Sequence, residues 1–284
     1  MKKTLFYIAL VLCIAATIIP GCKKCDHSQQ LKVISYNIRV GTARDGDNSW
    51  ENRKPASAAM IAEQQPDIFG LQEALKLQLD YLEETCPDYD HVGVHRDDGK
   101  ELGEVMAIFW NTKTQKLLDW GNFWLSETPE EPSKGWDAAC FRTATWALLK
   151  DKRYNKKYYY VNTHLDHIGQ EARAKGLKLI VDRIADINPK GWPMILTGDL
   201  NVDLGDPCLK SLEGRMESVR DIAPVTDSLI TYNAWGGISE TPRVIDYIYE
   251  SGFSAAPVFK VLRDSYEGIP YISDHYPVVA LLVF

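Results

Sequence analysis

Apolar and polar residues alternate along several short stretches of the chain, a pattern typical of β-strands. In residues 31–38, for example, Leu31, Val33 and Asn37 share one face. Further strands are predicted at residues 68–71, 89–94, 104–110, 116–120, 141–149, 157–161, 194–197, 243–249, 258–262 and 278–284. Apolar positions three or four residues apart predict helices at 53–64, 75–84 and 168–186. Mixed strands and helices without an internal repeat favour one large α/β domain or two small ones.

Polar side chains stand where many of the predicted strands end. Asp199 and Asn201 project to the same side from the carboxyl end of the strand at 194–197. Ligands bind at that end of open α/β sheets, although an Asp-initiated turn explains this pair equally well. Comparable residues at other strand ends are Asn37, Glu73, Arg142, His164, Asp246, Asp274 and His275. So many polar residues on separately predicted strands indicate one shared site.

A long polar and aromatic loop is predicted at residues 121–139. Its rings either form a wall of a substrate site or pack beneath the loop. Trp136 and Arg173 are candidates for substrate contact, with surface packing as the alternative. His167 follows His164 closely, but we interpret it as a solvated loop residue outside the site.

The N-terminus has the layout of an export signal. Lys2 and Lys3 precede an apolar run, residues 5–19, which is short for a membrane span. The run ends in Ile-Pro-Gly-Cys22, which resembles a bacterial lipoprotein processing site; a plain signal peptide or an uncleaved anchor stays open because of the proline. We therefore predict a leader at 1–21, a tether at 22–30 and a domain at 31–284. The expected location is periplasmic or cell-surface, with a lipid anchor to a bacterial membrane.

Charge and cysteine content narrow the expected partners. The formal net charge is −7, and loss of the leader with its two lysines makes it more negative. Strong non-specific binding to nucleic acid is therefore not expected, and we expect a monomer. Cysteines 25, 86, 140 and 208 lack metal-type spacing, so burial is the default expectation.

With these strand-end residues, the chain resembles the endonuclease/exonuclease/phosphatase (DNase I-like) superfamily. The matching pieces occur in family order and span residues 31–284: Ser-Tyr-Asn37, Leu-Gln-Glu73, Asn-Thr-His164, Gly-Asp199-Leu-Asn201, Ile-Asp246-Tyr-Ile and Ser-Asp274-His275-Tyr-Pro. The resemblance implies a four-layer α/β sandwich, in which two mixed β-sheets pack face to face between helices. It also implies a site at one edge, where the strand ends converge.

The resemblance assigns a metal site and a base. It implies that Glu73 is the principal Mg²⁺ or Mn²⁺ ligand, assisted by Asn37 and Asp274, and hard cations prefer such oxygen ligands. It implies that His275 is the general base that activates water and that Asp246 orients it. A buried Asp246 needs a partner of this kind.

The remaining four residues take roles around the phosphoryl group by the same resemblance. Asp199 would orient the water or the leaving group, and Asn201 would bind a phosphoryl oxygen. His164 and Arg142 would stabilise the charge that develops in the reaction.

We therefore predict a metal-dependent hydrolase of phosphate esters, with a phosphodiesterase as the first choice. Within the superfamily, a nuclease or a phospholipid or inositol phosphate phosphatase is the alternative. An exported binding lipoprotein without catalysis is a hypothesis from another class. A two-metal phosphatase of an unrelated type is disfavoured, since the chain has six histidines and no Gly-Asn-His element.

Overall fold

The computed structural model describes residues 29–237 and 243–284. The strands among them are β1 (Gln30–Asn37), β2 (Ile68–Gln72), β3 (Tyr89–Val92), β4 (Ile108–Asn111), β5 (Gln115–Trp124), β6 (Thr143–Asp151), β7 (Lys156–His164), β8 (Met194–Asp199), β9 (Glu217–Ser218), β10 (Asp246–Ser251), β11 (Ala255–Val261) and β12 (Val278–Val283). The α-helices are α1 (Trp50–Gln64), α2 (Lys76–Thr85), α3 (Gln170–Ile187) and α4 (Val219–Ile222). The predicted leader and nearly all of the predicted tether lie outside the described residues.

The strands form two six-stranded sheets. Sheet 1 has the order β11-β12-β1-β2-β4-β3, and sheet 2 has the order β5-β6-β7-β8-β10-β9. Each sheet is mixed, because β1 and β2 run parallel in sheet 1 and β7 and β8 run parallel in sheet 2, whereas the other pairs are antiparallel. No helix within the described ranges is both long and apolar enough to cross a membrane.

The two sheets pack face to face over a shared apolar core. Buried side chains of both sheets belong to one cluster, which includes Leu31, Val33, Ile68, Leu149, Tyr160 and Ile195. The alternation along β1 places Leu31 and Val33 in this core, as the sequence predicts, and turns Ile34 and Tyr36 to the opposite side. That opposite side of sheet 1 packs against α1 and α2.

Helices cover the outer faces of both sheets. Met60 of α1 and Leu82 of α2 join the apolar cluster outside sheet 1. Leu177 and Ile180 of α3 join the cluster outside sheet 2, together with Val161. The resulting order of helices, sheet, sheet and helix confirms the predicted four-layer α/β sandwich.

A buried polar network links the two sheets next to the site. Asn162 of β7 donates from Nδ2 to the carbonyl oxygens of Leu71 and Ala107, at 2.7 and 3.0 Å. Its Oδ1 accepts from Gln72 Nε2 at 2.7 Å. A Cβ at Gly70 would lie 2.6 Å from this side chain, so the close approach requires glycine. These contacts set the alignment of the sheets where their polar strand ends meet.

Several predicted boundaries are wrong, and two of them are displaced by four residues. The strand predicted at 116–120 extends to Trp124 as β5, because Gly121 pairs with Trp146 and lies beneath its ring. The loop predicted at 121–139 is correspondingly shorter at its start. The strand predicted at 104–110 begins only at Ile108, since Val105 makes isolated bridges instead of a regular ladder. The short elements β9 and α4 were not predicted.

Candidate active site

Nine predicted residues converge at one end of the two sheets. A cleft of about 390 Å³ opens there, lined by seven of them: Glu73, Arg142, His164, Asp199, Asn201, Asp274 and His275. Asn37 and Asp246 lie buried directly behind this lining, each hydrogen-bonded to one of its members. The convergence arises because the parallel strands of both sheets present their carboxyl ends at this edge, where the antiparallel strands β6, β10 and β12 begin.

An aspartate and a histidine form a buried pair at the floor of the cleft. His275 Nδ1 lies 2.8 Å from Asp246 Oδ2. The other ring nitrogen, Nε2, lies 3.8 Å from Asp199 Oδ2 and faces the cleft. The sequence analysis placed Asp246 inside a strand, but it is the first residue of β10 and pairs there with Asp199. The register of β10 on β8 therefore brings both carboxylates to the same imidazole.

The carboxylates and the burial shift the pKa values of this group. Burial lowers the pKa of His275, but Asp246 and Asp199 outweigh burial and raise it to about 10. Burial raises the pKa of Asp199 to about 7 and also raises the pKa of Asp274. The pKa of His164 is lowered well below its usual value, by burial and by nearby cationic groups. The surroundings therefore shift the pKa values of the two histidines in opposite directions, upwards for His275 and downwards for His164. The positive charge of a divalent cation bound in the cleft would lower the pKa of His275 again, as a role as base requires.

Glu73 is held at the mouth of the cleft by two donors. Its Oε1 accepts from Asn37 Nδ2 at 3.0 Å, and its Oε2 accepts from the backbone N–H of Val40 at 2.8 Å. Its φ of 63° lies in the left-handed region, which is unusual for a residue other than glycine. Asn37 also donates to Asp199, while its oxygen accepts from the Arg39 N–H. Asn37 therefore directs its NH₂ group at the two carboxylates. Its amide would have to flip before its oxygen could bind a metal ion.

The donor set fits a hard divalent cation. Glu73 and Asp274 both offer carboxylate oxygens to the cleft, the ligand type that Mg²⁺ and Mn²⁺ prefer. Asp199, Asp246 and His275 form a further buried group whose ligand atoms lie within 4.8 Å of one another. Burying several carboxylates around one imidazole leaves negative charge that a divalent cation would offset.

Asn201 serves both the turn and the site. Its backbone N–H donates to Asp199 Oδ1 at 2.9 Å, which is the Asp-initiated turn considered from the sequence. Its φ of 51° turns the side chain back, so that Nδ2 lies 3.0 Å from His164 Nε2 and donates to the Leu165 carbonyl. The two interpretations of the Asp-Leu-Asn stretch are therefore compatible.

Asp166 is a site residue that the sequence analysis missed. It is 2% exposed, and its Oδ2 lies 3.4 Å from Arg142 Nε. Arg142 Nη2 also lies 3.1 Å from His167 Nδ1. His167 is exposed, as predicted, yet it lines the cleft. An aspartate shortly before Gly169 and a helix was the available signal, since such residues accept N–H groups at helix starts.

Other lining residues come from loops of the structure, although Glu104, Arg243 and Ile245 fall within predicted strands. They are Arg39, Val40, Arg96, Glu104, Cys140, Tyr232, Arg243 and Ile245. Arg39 Nη1 lies 3.4 Å from Asp274 Oδ2, and the Tyr232 ring stands edge-on to His275 with centroids 5.1 Å apart. Burial raises the pKa of Glu104 to about 7.

Three further expectations concern Arg173, Trp136 and the cysteines. Arg173 donates to the Asp166 carbonyl and does not line the cleft. Trp136 packs under the Lys175 ammonium of α3, at 5.7 Å. Arg173 and Trp136 therefore pack on the surface, which was the alternative considered for both. Cys86 and Cys208 are buried free thiols, as expected by default, whereas Cys140 is half-buried at the cleft.

Comparison with known proteins agrees with this architecture. A mannosyl-6-phosphatase of Bacteroides thetaiotaomicron, Bt3783, is 36% identical, with a TM-score of 0.86 over 89% of this chain and 100% of that chain. An endonuclease/exonuclease/phosphatase family protein of the same organism is also 36% identical, with a TM-score of 0.85 over 90% and 98% of the two chains. An uncharacterised protein of Acanthamoeba polyphaga mimivirus is 30% identical over 184 residues, which are 61% of this chain and 68% of the relative.

A family model matches the chain over nearly the whole described domain. The match covers residues 34–275, from β1 to the His275 of the cleft. It therefore includes every residue that the sequence analysis assigned to the site. The match and the structural relatives confirm the resemblance found in the sequence. The chain belongs to the Endonuclease/Exonuclease/phosphatase family.

Proposed function

We propose that the protein hydrolyses phosphate esters with a divalent metal ion and a water molecule activated at His275. The observation that carries the proposal is the 2.8 Å hydrogen bond between Asp246 and His275, in a cleft that also holds Glu73 and Asp274. Members of the family hydrolyse phosphoesters, and a positioned acid–base residue typically contributes about 10²–10⁴-fold to the rate. Mg²⁺ or Mn²⁺ is the proposed cofactor.

Each side chain has a task that its geometry supports. Asp246 fixes the His275 ring so that Nε2 faces the cleft and exchanges a proton with the attacking water. Asp199, 3.8 Å from that nitrogen, orients the water or the leaving group. A divalent cation, when bound by Glu73 and Asp274, supplies positive charge beside the phosphoryl oxygens.

An arginine, an imidazole and an amide on the other wall bind the phosphoryl group. His164 and Arg142 face the developing charge. The Asn201 amide donates to the Leu165 carbonyl and lies against His164, so it binds a phosphoryl oxygen by giving up one of these contacts. Such donors act most strongly where charge develops in a water-poor site.

We propose a sugar phosphate monoester as the first substrate to test. The support is the similarity to the mannosyl-6-phosphatase Bt3783, at 36% identity. Arg39, Arg96 and Arg243 line the cleft in addition to Arg142 and suit the double negative charge of a monoester. The diester preferred from the sequence stays a prediction, and the same assay compares the two.

The test is hydrolysis of mannose 6-phosphate, an aryl phosphomonoester and an aryl phosphodiester, with Mg²⁺, with Mn²⁺ and with EDTA. We expect metal-dependent turnover that falls by at least about 10²-fold in His275→Ala and is unchanged in His95→Gln, a histidine outside the cleft lining. Absence of turnover together with absence of metal binding by calorimetry would overturn the proposal. That result would favour the non-catalytic binding lipoprotein.

A further inference from the structure

Three lysines stand in one row across sheet 2, at the end opposite the cleft. Lys116 of β5 pairs directly with Lys150 of β6, and Lys150 pairs directly with Lys157 of β7. Residues paired in this way project from the same face of a sheet. Like charges directly opposite each other destabilise a sheet. The lysine row therefore lowers the stability of the fold, which suggests that it serves another purpose.

More cations surround this row. Lys152 and Lys190 are exposed, and the Lys157 and Lys190 ammoniums lie 4.8 and 5.0 Å from the centre of the Trp192 ring. The five lysines, Lys116, Lys150, Lys152, Lys157 and Lys190, are called the basic face below. It is a concentrated positive surface on a chain whose net charge is −7.

Acidic groups near the basic face neutralise only part of it. Asp151 lies between two of its lysines, but it is buried and paired with Arg153 at 2.6 Å. Asp119 is exposed on the neighbouring strand β5. The face therefore keeps an excess of positive charge that attracts an anionic partner over about one Debye length, roughly 8–10 Å.

The described chain begins at this same end of the molecule. Arg153 Nη2 donates to the Gln30 carbonyl at 3.3 Å, and the Phe284 N–H donates to the Gln29 carbonyl. Cys22, where the sequence predicts lipid attachment, precedes Gln29 by seven residues. Seven residues span at most about 25 Å, so an anchor at Cys22 would keep the basic face close to the bilayer.

The cleft lies at the other end of the same strands. Lys157 and His164 both belong to β7, near its opposite ends. Their separation of seven residues corresponds to roughly 23 Å along a strand. A partner bound at the basic face therefore leaves the cleft open.

We propose that the basic face docks on an anionic phospholipid surface and turns the catalytic cleft away from it. Lysine side chains supply the attraction to acidic headgroups. Trp192 adds an aromatic ring of the kind found at the membrane interface. The orientation suits a substrate that arrives from solution rather than a lipid of the same bilayer.

The test uses the protein from residue 23 onwards, without leader or lipid. Such a chain contains the whole domain, because 89% of this chain matches the complete solved chain of Bt3783. Its binding is measured to vesicles of phosphatidylcholine alone and of phosphatidylcholine with phosphatidylglycerol. We expect binding to the anionic vesicles only, and its loss at high salt.

The decisive variant combines Lys116→Gln, Lys150→Gln and Lys157→Gln. We expect its affinity for anionic vesicles to fall on the order of 100-fold, since each lysine near the surface contributes roughly fivefold. The matched control replaces Lys54, Lys76 and Lys178 by Gln; these lysines pair with acids on helices.

Two further readouts separate docking from a loss of folding. The row variant should unfold at a higher temperature than the wild-type protein, because the like-charge repulsion is relieved. Its turnover of soluble substrate should be unchanged. Equal vesicle binding by the row and control variants, or binding to anionic polysaccharide but not to phosphatidylglycerol, would overturn the proposal.

Discussion

Replacement of Asp166 by Asn tests whether this buried carboxylate, which the sequence analysis did not identify, holds Arg142 in the wall of the cleft. The Asp166 carboxylate joins the start of α3 to the segment before β6. Five nitrogens approach it at 2.8–3.4 Å: the backbone N–H groups of Ile168 and Gly169 at Oδ1, and those of Ala139 and Cys140 with Arg142 Nε at Oδ2. An oxygen so fully occupied by donors is also a poor metal ligand.

The size of the effect follows from these contacts. Asparagine keeps an oxygen for the α3 turn but presents an NH₂ group to the three donors at Oδ2. Loss of one member of a buried charged pair typically costs about 3–5 kcal/mol, and we expect Asp166→Asn to lower the free energy of unfolding by about this amount at pH 7. Because Arg142 loses its support, kcat should also fall.

The stability difference should depend on pH with a defined sign. Burial opposes ionisation of Asp166, but the backbone hydrogen bonds outweigh burial and lower its pKa below the usual range. A lowered carboxyl pKa gives stability that is complete above the unfolded-state value of about 3.9 and is lost as pH falls towards the folded-state value. Below about pH 4 the difference between the two proteins should shrink by up to roughly 1.4 kcal/mol per pH unit.

Urea denaturation at several pH values from neutral to acidic measures this difference. The control is Asp182→Asn, which removes the same charge from an exposed pair with Lys178 on α3 and should cost under about 0.5 kcal/mol. A loss in Asp166→Asn no larger than in the control would refute the reasoning. So would a difference that stays constant down to pH 3.

Three other predictions concern the sheet interface and the catalytic pair. Gly70→Ala should destabilise the protein by about 1–3 kcal/mol in urea denaturation, because its methyl group would meet Asn162; an unchanged midpoint contradicts the packing. Asp246→Asn should lower kcat about 10²–10⁴-fold with little change in KM, and retained kcat would exclude a role in orienting His275. Glu73→Gln should weaken Mg²⁺ binding, measured by calorimetry, by at least the roughly 10–100-fold that loss of a supporting group costs; unaltered affinity would place the cation elsewhere.

Much of the fold follows from local patterns. The alternation along β1 predicts which side chains enter the core, because a strand turns successive residues to opposite faces. The polar residues at the predicted strand ends likewise indicate where the site forms, since Glu73 and Asp199 line the same cleft. Boundaries were harder, since Gly121 is a typical turn residue that the neighbouring Trp146 holds inside β5.

The sequence by itself determined the mixture of strands and helices and the nine polar residues that meet at the cleft, because periodicity and strand ends are local patterns. The four-layer architecture also followed from the sequence, through its resemblance to a known family. Only the tertiary structure decided which residues surround those nine. Arg39, Glu104 and Asp166 come from loops, where no period links a residue's position in the chain to the direction of its side chain. The lysine row shows the same division, since Lys116 and Lys157 come to flank Lys150 only through the register of β5 and β7 on β6.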